Sequence, residues 1–96
     1  MYAQLRVYTV NRGKMDAWVK WFNEKAMPIA AQAGHQILGP WINEGKTEFI
    51  WIRTYQNAED AKVKDDAFSN SPAWKAVVGE AAEYVAKIEV TVMTTP

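Results

Sequence analysis

Ninety-six residues allow one domain, spanning 1–96, and a chain this short buries only about 60–65% of the surface it exposes when unfolded, so it is marginal alone. The absence of cysteine excludes a disulfide scaffold and thiolate metal sites, and eleven basic residues balancing eleven acidic ones with no basic run exclude the electrostatic footprint of a nucleic-acid binder. No apolar run approaches the ~18 residues of a membrane span, and the start Met1-Tyr2-Ala3-Gln4-Leu5-Arg6 lacks the apolar segment of a signal peptide, so no membrane association and a cytoplasmic location are expected. Five tryptophans, four tyrosines and three phenylalanines are many for this length, and an aromatic-rich small domain either oligomerises or encloses something.

The first element alternates: Ala3, Leu5, Val7 and Thr9 against Tyr2, Gln4, Arg6 and Tyr8, a strand with one aliphatic and one polar-aromatic face. Asn11-Arg12-Gly13 turns the chain. From Lys14 to Ala33 the period changes to three and four, with Met15, Trp18, Val19, Phe22, Ala26, Ile29, Ala30 and Ala33 forming the apolar stripe of a helix. Trp21 lies off that stripe and is expected at a partner or a rim. Pro28 removes the amide that would bond the Glu24 carbonyl, which predicts a kink, and Gly34 ends the helix.

His35 to Ile42 reads as a second strand, joined through Asn43-Glu44-Gly45-Lys46 to a third. The third strand ends Phe49-Ile50-Trp51-Ile52-Arg53-Thr54-Tyr55 and is the most informative stretch. Ile50, Ile52 and Thr54 face one way and Phe49, Trp51, Arg53 and Tyr55 the other, as expected of a central strand covered on both sides. The aliphatic side is assigned to the helices and the aromatic side to a partly polar chamber. An odd hairpin loop sets His35, Ile37, Gly39 and Trp41 beside the chamber residues; an even one sets Gln36, Leu38, Pro40 and Ile42 there. The odd register gathers Trp41 with the other aromatics and is preferred.

Asn57 is placed to cap a helix through Phe68, and Ser71-Pro72 to start another whose inward stripe is Trp74, Val77, Val78, Ala81, Val85 and Ile88. Lys87 to Thr95 alternates as a last strand. The order β-α-β-β-α-β predicts an α+β, ferredoxin-like fold with an antiparallel sheet in the order 4-1-3-2 and helices on one face. A monomer so built exposes Tyr8, Phe49, Trp51, Tyr55 and Met93 together, so a homodimer with its two sheets face to face is expected, closing a barrel.

The chain resembles the NIPSNAP family of the dimeric α+β barrel superfamily. Gln4-Leu5-Arg6-Val7-Tyr8-Thr9-Val10 with Gly13-Lys14-Met15 is similar to the family's Glu-Leu-Arg-x-Tyr-Thr-Leu and Gly-Lys-Leu pattern. Met27-Pro28, Leu38-Gly39-x-Trp41, Trp51-Ile52-Arg53-Thr54-Tyr55 and Ser71-Pro72-Ala73-Trp74 follow in the family's order. Gln4 stands where the pattern often has an acid, and Trp51-Ile52-Arg53 where it often has His-Leu-Trp. The resemblance implies the barrel and the dimer. The wider superfamily includes cofactor-independent monooxygenases, cyclases, isomerases and haem enzymes.

The single histidine, His35, excludes a multi-histidine metal site within one chain, and neither a metal nor a cofactor is expected. As candidate catalytic groups, His35 offers a general base, against the plainer role of capping a helix end, and Tyr8 and Tyr55 offer donors to an oxyanion, against plain packing. The ligand-binding candidates are Arg6, Tyr8, Trp41, Phe49, Trp51, Arg53 and Tyr55. Two guanidiniums against aromatic walls suit a small aromatic or polyketide-like anion. The competing account pairs the arginines with Glu48 and Glu89, an Arg6–Glu89 bridge tying the first strand to the last. Two functions follow: a small-molecule binder of undefined activity, or a cofactor-independent enzyme of monooxygenase, cyclase or isomerase type working in the chamber.

Overall fold

The computed structural model describes all residues, 1–96. Strand β1 (Tyr2–Val10) leads to α1 (Met15–Trp21), a π turn (Phe22–Ala26) and α2 (Met27–Gln32), which run as one continuous helix. Strands β2 (Gln36–Ile42) and β3 (Glu48–Tyr55) form a hairpin, and α3 (Ala58–Asn70) follows. Helix α4 (Pro72–Val77), a 3-10 segment (Val78–Glu83) and β4 (Val85–Thr94) complete the chain. The sheet is antiparallel in the order β2-β3-β1-β4, the expected 4-1-3-2 read from the other edge. The molecule measures 37 × 33 × 17 Å, a slab one sheet and one helical layer thick.

Local chemistry explains the boundaries. Asn57 accepts the Asp60 amide at 2.8 Å and starts α3; Ser71 accepts the Trp74 amide at 3.1 Å and starts α4, with Pro72 in the first turn. The expected break at Pro28 takes the form of a π turn immediately before it, in which the Met27 amide reaches back to the Phe22 carbonyl. The last helix is shorter than its stripe suggests. It tightens into the 3-10 segment from Val78, next to Gly79, so Val85 and Ile88 belong to β4 instead.

The sheet is turned over relative to the expectation. Along β3 burial alternates strictly, and the buried set is Phe49, Trp51, Arg53 and Tyr55. These residues lie under the helices; the aliphatic set Ile50 and Ile52, with Leu5 and Val7 of β1, lies on the open face. The helix decides the matter. Trp18, Trp21 and Phe22 present an aromatic stripe to the sheet, and rings from both layers interlock: Phe22 lies 4.7 Å from Phe49 and 5.0 Å from Trp51, and Trp18 5.6 Å from Phe49. Trp21 is buried in this layer, stacked on Trp18 at 5.5 Å, rather than placed at a rim.

Neither hairpin register holds along the whole of β2. Ile37 pairs with Arg53 and Leu38 with Ile52, then the ladder shifts, and Trp41 pairs with Ile50 and Ile42 with Phe49. The shift is made at Gly39, whose φ of 93° suits glycine and where a Cβ would stand 2.7 Å from the Trp41 ring. Trp41 therefore sits on the open face, 52% exposed, away from the other aromatics. Leu38 shares that face and that exposure.

Candidate ligand-binding site

Gln4, Arg6 and Tyr8 share the helix-covered face of β1, and Trp51, Arg53 and Tyr55 that of β3 beside them. Helix α3 sets a carboxylate over this array. Asp65 falls on the inward stripe of α3 between the buried Ala61 and Phe68, at the i, i+4, i+7 spacing. Its Oδ1 accepts from Tyr55 Oη at 2.6 Å, His35 Nε2 at 2.9 Å and Arg53 Nη1 at 3.2 Å, and its Oδ2 from Gln4 Nε2 at 2.8 Å. Gln4 Oε1 then accepts from Arg6 Nη1 at 2.9 Å, and Arg6 Nε donates to Tyr8 Oη at 3.1 Å. The Gln4 amide is thus oriented by its neighbours: its NH2 meets a carboxylate and its oxygen a guanidinium.

Both arginines flank the Trp51 ring, Arg53 at 4.7 Å and Arg6 at 5.5 Å from its centroid, and Phe68 covers Arg53 from the other side at 4.9 Å. Their charge balance differs. Arg53 shares Asp65, whereas Arg6 touches no carboxylate. The expected acidic partners lie on the opposite face: Glu89 pairs with Lys87 at 3.4 Å, and Glu48 accepts from Asn43 at 3.5 Å. The Arg6–Glu89 bridge is therefore absent, and one guanidinium beneath the helices has only neutral partners.

Proton positions follow from burial and neighbours. Burial, then the Arg53 charge, lowers the His35 pKa despite Asp65, so the imidazole is neutral at neutral pH and its contact with Asp65 is a hydrogen bond to a neutral ring. Burial also pushes the Asp65 carboxyl up, but bonds from Tyr55, Gln4 and His35 and the Arg53 charge outweigh it and hold the group below the usual carboxylate range. The Tyr55 phenol is pushed far up, by burial first and then by donating to Asp65. Burial and the Arg6 charge lower Arg53 from its ordinary value.

A cavity of about 160 Å³ opens between this array and the helices, bounded by Arg6, Tyr8, Trp51 and Arg53 from the sheet and by Trp18, Phe22, Phe68 and Trp74 from the helical layer. Three of its lining residues carry buried donors without a partner: Trp18 Nε1, Trp51 Nε1 and Arg53 Nε. Indole and guanidinium N–H groups only donate, and these three atoms are closed off within the packed rings rather than open to the cavity. No carboxylate or imidazole lines it.

Of the candidate residues, the structure gathers Arg6, Tyr8, Trp51 and Arg53 around the cavity. His35 and Tyr55 lie behind Arg53 on Asp65, and Phe49 is sealed in the core. Trp41 is on the other face. Asp65, Trp18, Phe68 and Trp74 were missed. A carboxylate on an otherwise inward stripe was the available signal for Asp65.

Four antiparallel strands with helices on one face define a ferredoxin-like α+β protein. The NIPSNAP family profile matches residues 2–96, and the chain belongs to the NIPSNAP family. An uncharacterised NIPSNAP domain protein from Burkholderia xenovorans superposes with a TM-score of 0.91 at 17% identity, covering 100% of this chain and 95% of that one. A NIPSNAP family protein from Agrobacterium tumefaciens gives 0.90 at 18% identity, covering 99% and 92%. A putative antibiotic biosynthesis monooxygenase from Nitrosomonas europaea gives 0.74 at 14% identity, covering 99% and 98%. At these identities the likeness is one of fold. No curated protein matches the chain.

Proposed function

We propose that the protein is a cytoplasmic homodimer that binds a small, largely apolar anion, an aromatic or polyketide-like acid, in the cavity beneath its helices. The observation that carries this is Arg6, a guanidinium without a carboxylate partner, lining an aromatic-walled cavity. A carboxylate or enolate oxygen supplies the counter-charge that Arg6 lacks, and the Trp51, Phe22 and Trp74 rings supply apolar walls. The homodimer is supported by the open sheet face, where Leu38 and Trp41 are each 52% exposed beside Leu5, Ile50 and Ile52. The absence of cysteine suits the cytoplasm.

A cofactor-independent reaction of monooxygenase, cyclase or isomerase type in the same cavity is the second reading, favoured by the fold shared with the Nitrosomonas protein. Against it, no carboxylate or imidazole reaches the cavity to take a proton from a bound molecule. Binding without turnover is the better-supported conclusion. Calorimetric titration with benzoate and 1-naphthoate, beside their amides, tests it. The acids should bind at least tenfold more tightly than the amides, and Arg6→Gln should remove that preference, a charge-assisted bond contributing about 1.5–3 kcal/mol. Equal binding of acids and amides, or an acid preference that survives Arg6→Gln, refutes the reading.

A further inference from the structure

A second cavity, of about 380 Å³, adjoins the first: Tyr8, Trp18, Trp74 and Ile88 line both. Its remaining walls are chemically unlike those around Arg6. The 3-10 segment and the start of β4 contribute Val78, Ala81, Ala82, Val85 and Ala86, with Lys87 as the one charged residue. Beyond the rings of Tyr8, Trp18 and Trp74, these small aliphatic side chains leave width and offer no further flat surface, so the far end of this arm suits a flexible or branched chain better than a second aromatic ring. The two cavities lie on either side of Tyr8, Trp18, Trp74 and Ile88, and together they outline an elongated region with its positive charge, Arg6, at one end.

We infer that the site takes an aliphatic acyl chain ending in a carboxylate, with the carboxylate at Arg6 and the chain running past Tyr8, Trp18, Trp74 and Ile88 towards Val85. This rests on the anion-binding reading above and narrows it to a substrate class. The free charge of Arg6 sets the orientation. Lys87, the alternative anchor, already pairs with Glu89 at 3.4 Å and is well exposed to water, whereas Arg6 has no carboxylate partner and lies beside Trp51 and Arg53.

The test is a titration of the intact protein with hexanoate, octanoate and decanoate below their micelle concentrations, read by tryptophan fluorescence, with benzoate as the chainless acid. Each methylene entering the arm should tighten binding roughly three- to fourfold, about two orders of magnitude between hexanoate and decanoate. Ala82→Phe narrows the arm at a position exposed on the 3-10 segment, outside the polar array, so the fold should hold. It should bring decanoate down towards hexanoate and leave benzoate unchanged. Arg6→Gln should weaken all four acids, and Lys87→Gln none. Affinity independent of chain length, with the loss in Arg6→Gln retained, overturns the acyl-chain assignment and leaves anion binding standing. Failure of every acid to bind overturns both. Loss in Lys87→Gln with binding retained in Arg6→Gln reverses the orientation and also overturns the proposal.

Discussion

Asp65→Asn is the substitution whose cost follows most directly from the structure. It keeps the side chain's size and removes its charge. The wild-type carboxylate receives four donors from four residues; an asparagine offers one oxygen, and its NH2 would meet Gln4 Nε2. Arg53, only 5% exposed and salt-bridged to no other carboxylate, is left as an uncompensated cation between two aromatic rings. Removing one partner of a fully buried pair costs about 3–5 kcal/mol. The Asp65 side chain is 30% exposed, so water recovers part of this, and about 2–3 kcal/mol is expected. For a domain of this size that lowers Tm by roughly 8–24 °C. Urea unfolding followed by tryptophan fluorescence should show the loss as a lower midpoint at unchanged slope. Tyr55→Phe alone should cost about 1 kcal/mol, and the double variant less than the sum, because the two share one hydrogen bond. A change within about 0.5 kcal/mol for Asp65→Asn, or strict additivity with Tyr55→Phe, refutes Asp65 as the organiser of the array.

The same array predicts an acid limb in stability. Because the folded pKa of His35, the only histidine, lies below its ordinary value, the unfolded chain takes that proton first. Stability is therefore full above about pH 6.5 and declines as pH falls through the window below it. The lowered Asp65 adds a second loss below about pH 4, as its folded carboxylate is protonated. His35→Gln should flatten the upper limb alone, and equal slopes for wild type and variant between pH 7 and 5 would falsify the assignment. On the open face, Ile52→Asp should convert the proposed dimer to monomer by light scattering, while Lys20→Glu on the wet side of α1 should leave its mass unchanged. A folded wild-type monomer at micromolar concentration removes the dimer.

Most of the fold was legible because each element carries its own local signal: the alternation of β1 and β3, the caps at Asn57 and Ser71, the three-and-four spacing of α1. The face of the sheet was not. Alternation of β-branched and aromatic residues along β3 says that two faces differ and leaves open which one meets the helices. That depends on volume matching with Trp18, Trp21 and Phe22, a tertiary property. The β2 register was hidden by the shift between Leu38 and Trp41, which moves Trp41 to the opposite face from Ile37. Arg6 and Arg53 were visible as charges that required an account, but carboxylates were sought on neighbouring strands, whereas α3 supplies one to Arg53 and Arg6 has none. The apolar arm is formed by a 3-10 segment lying against a strand start; Val78, Ala81, Val85 and Ile88 showed in the sequence as one helical stripe, and the end of that helix at Val77 is what turns them into cavity walls.

A π turn holds one residue more than the α turn it replaces, so the helix from Met15 to Gln32 runs in two phases. Ahead of the turn the indoles of Trp18 and Trp21 meet the sheet; after it the small faces of Ala26 and Ala30 do. Asn23, Glu24 and Lys25, between them, are all exposed. Were the same residues wound with i→i−4 bonding throughout, the indoles would swing by about 100° relative to α2, off the rings of Tyr8 and Phe49. This short surface stretch is therefore free in composition and constrained in winding: three solvent-facing side chains whose identities matter little, on a turn whose width sets the angular offset between the halves of a helix.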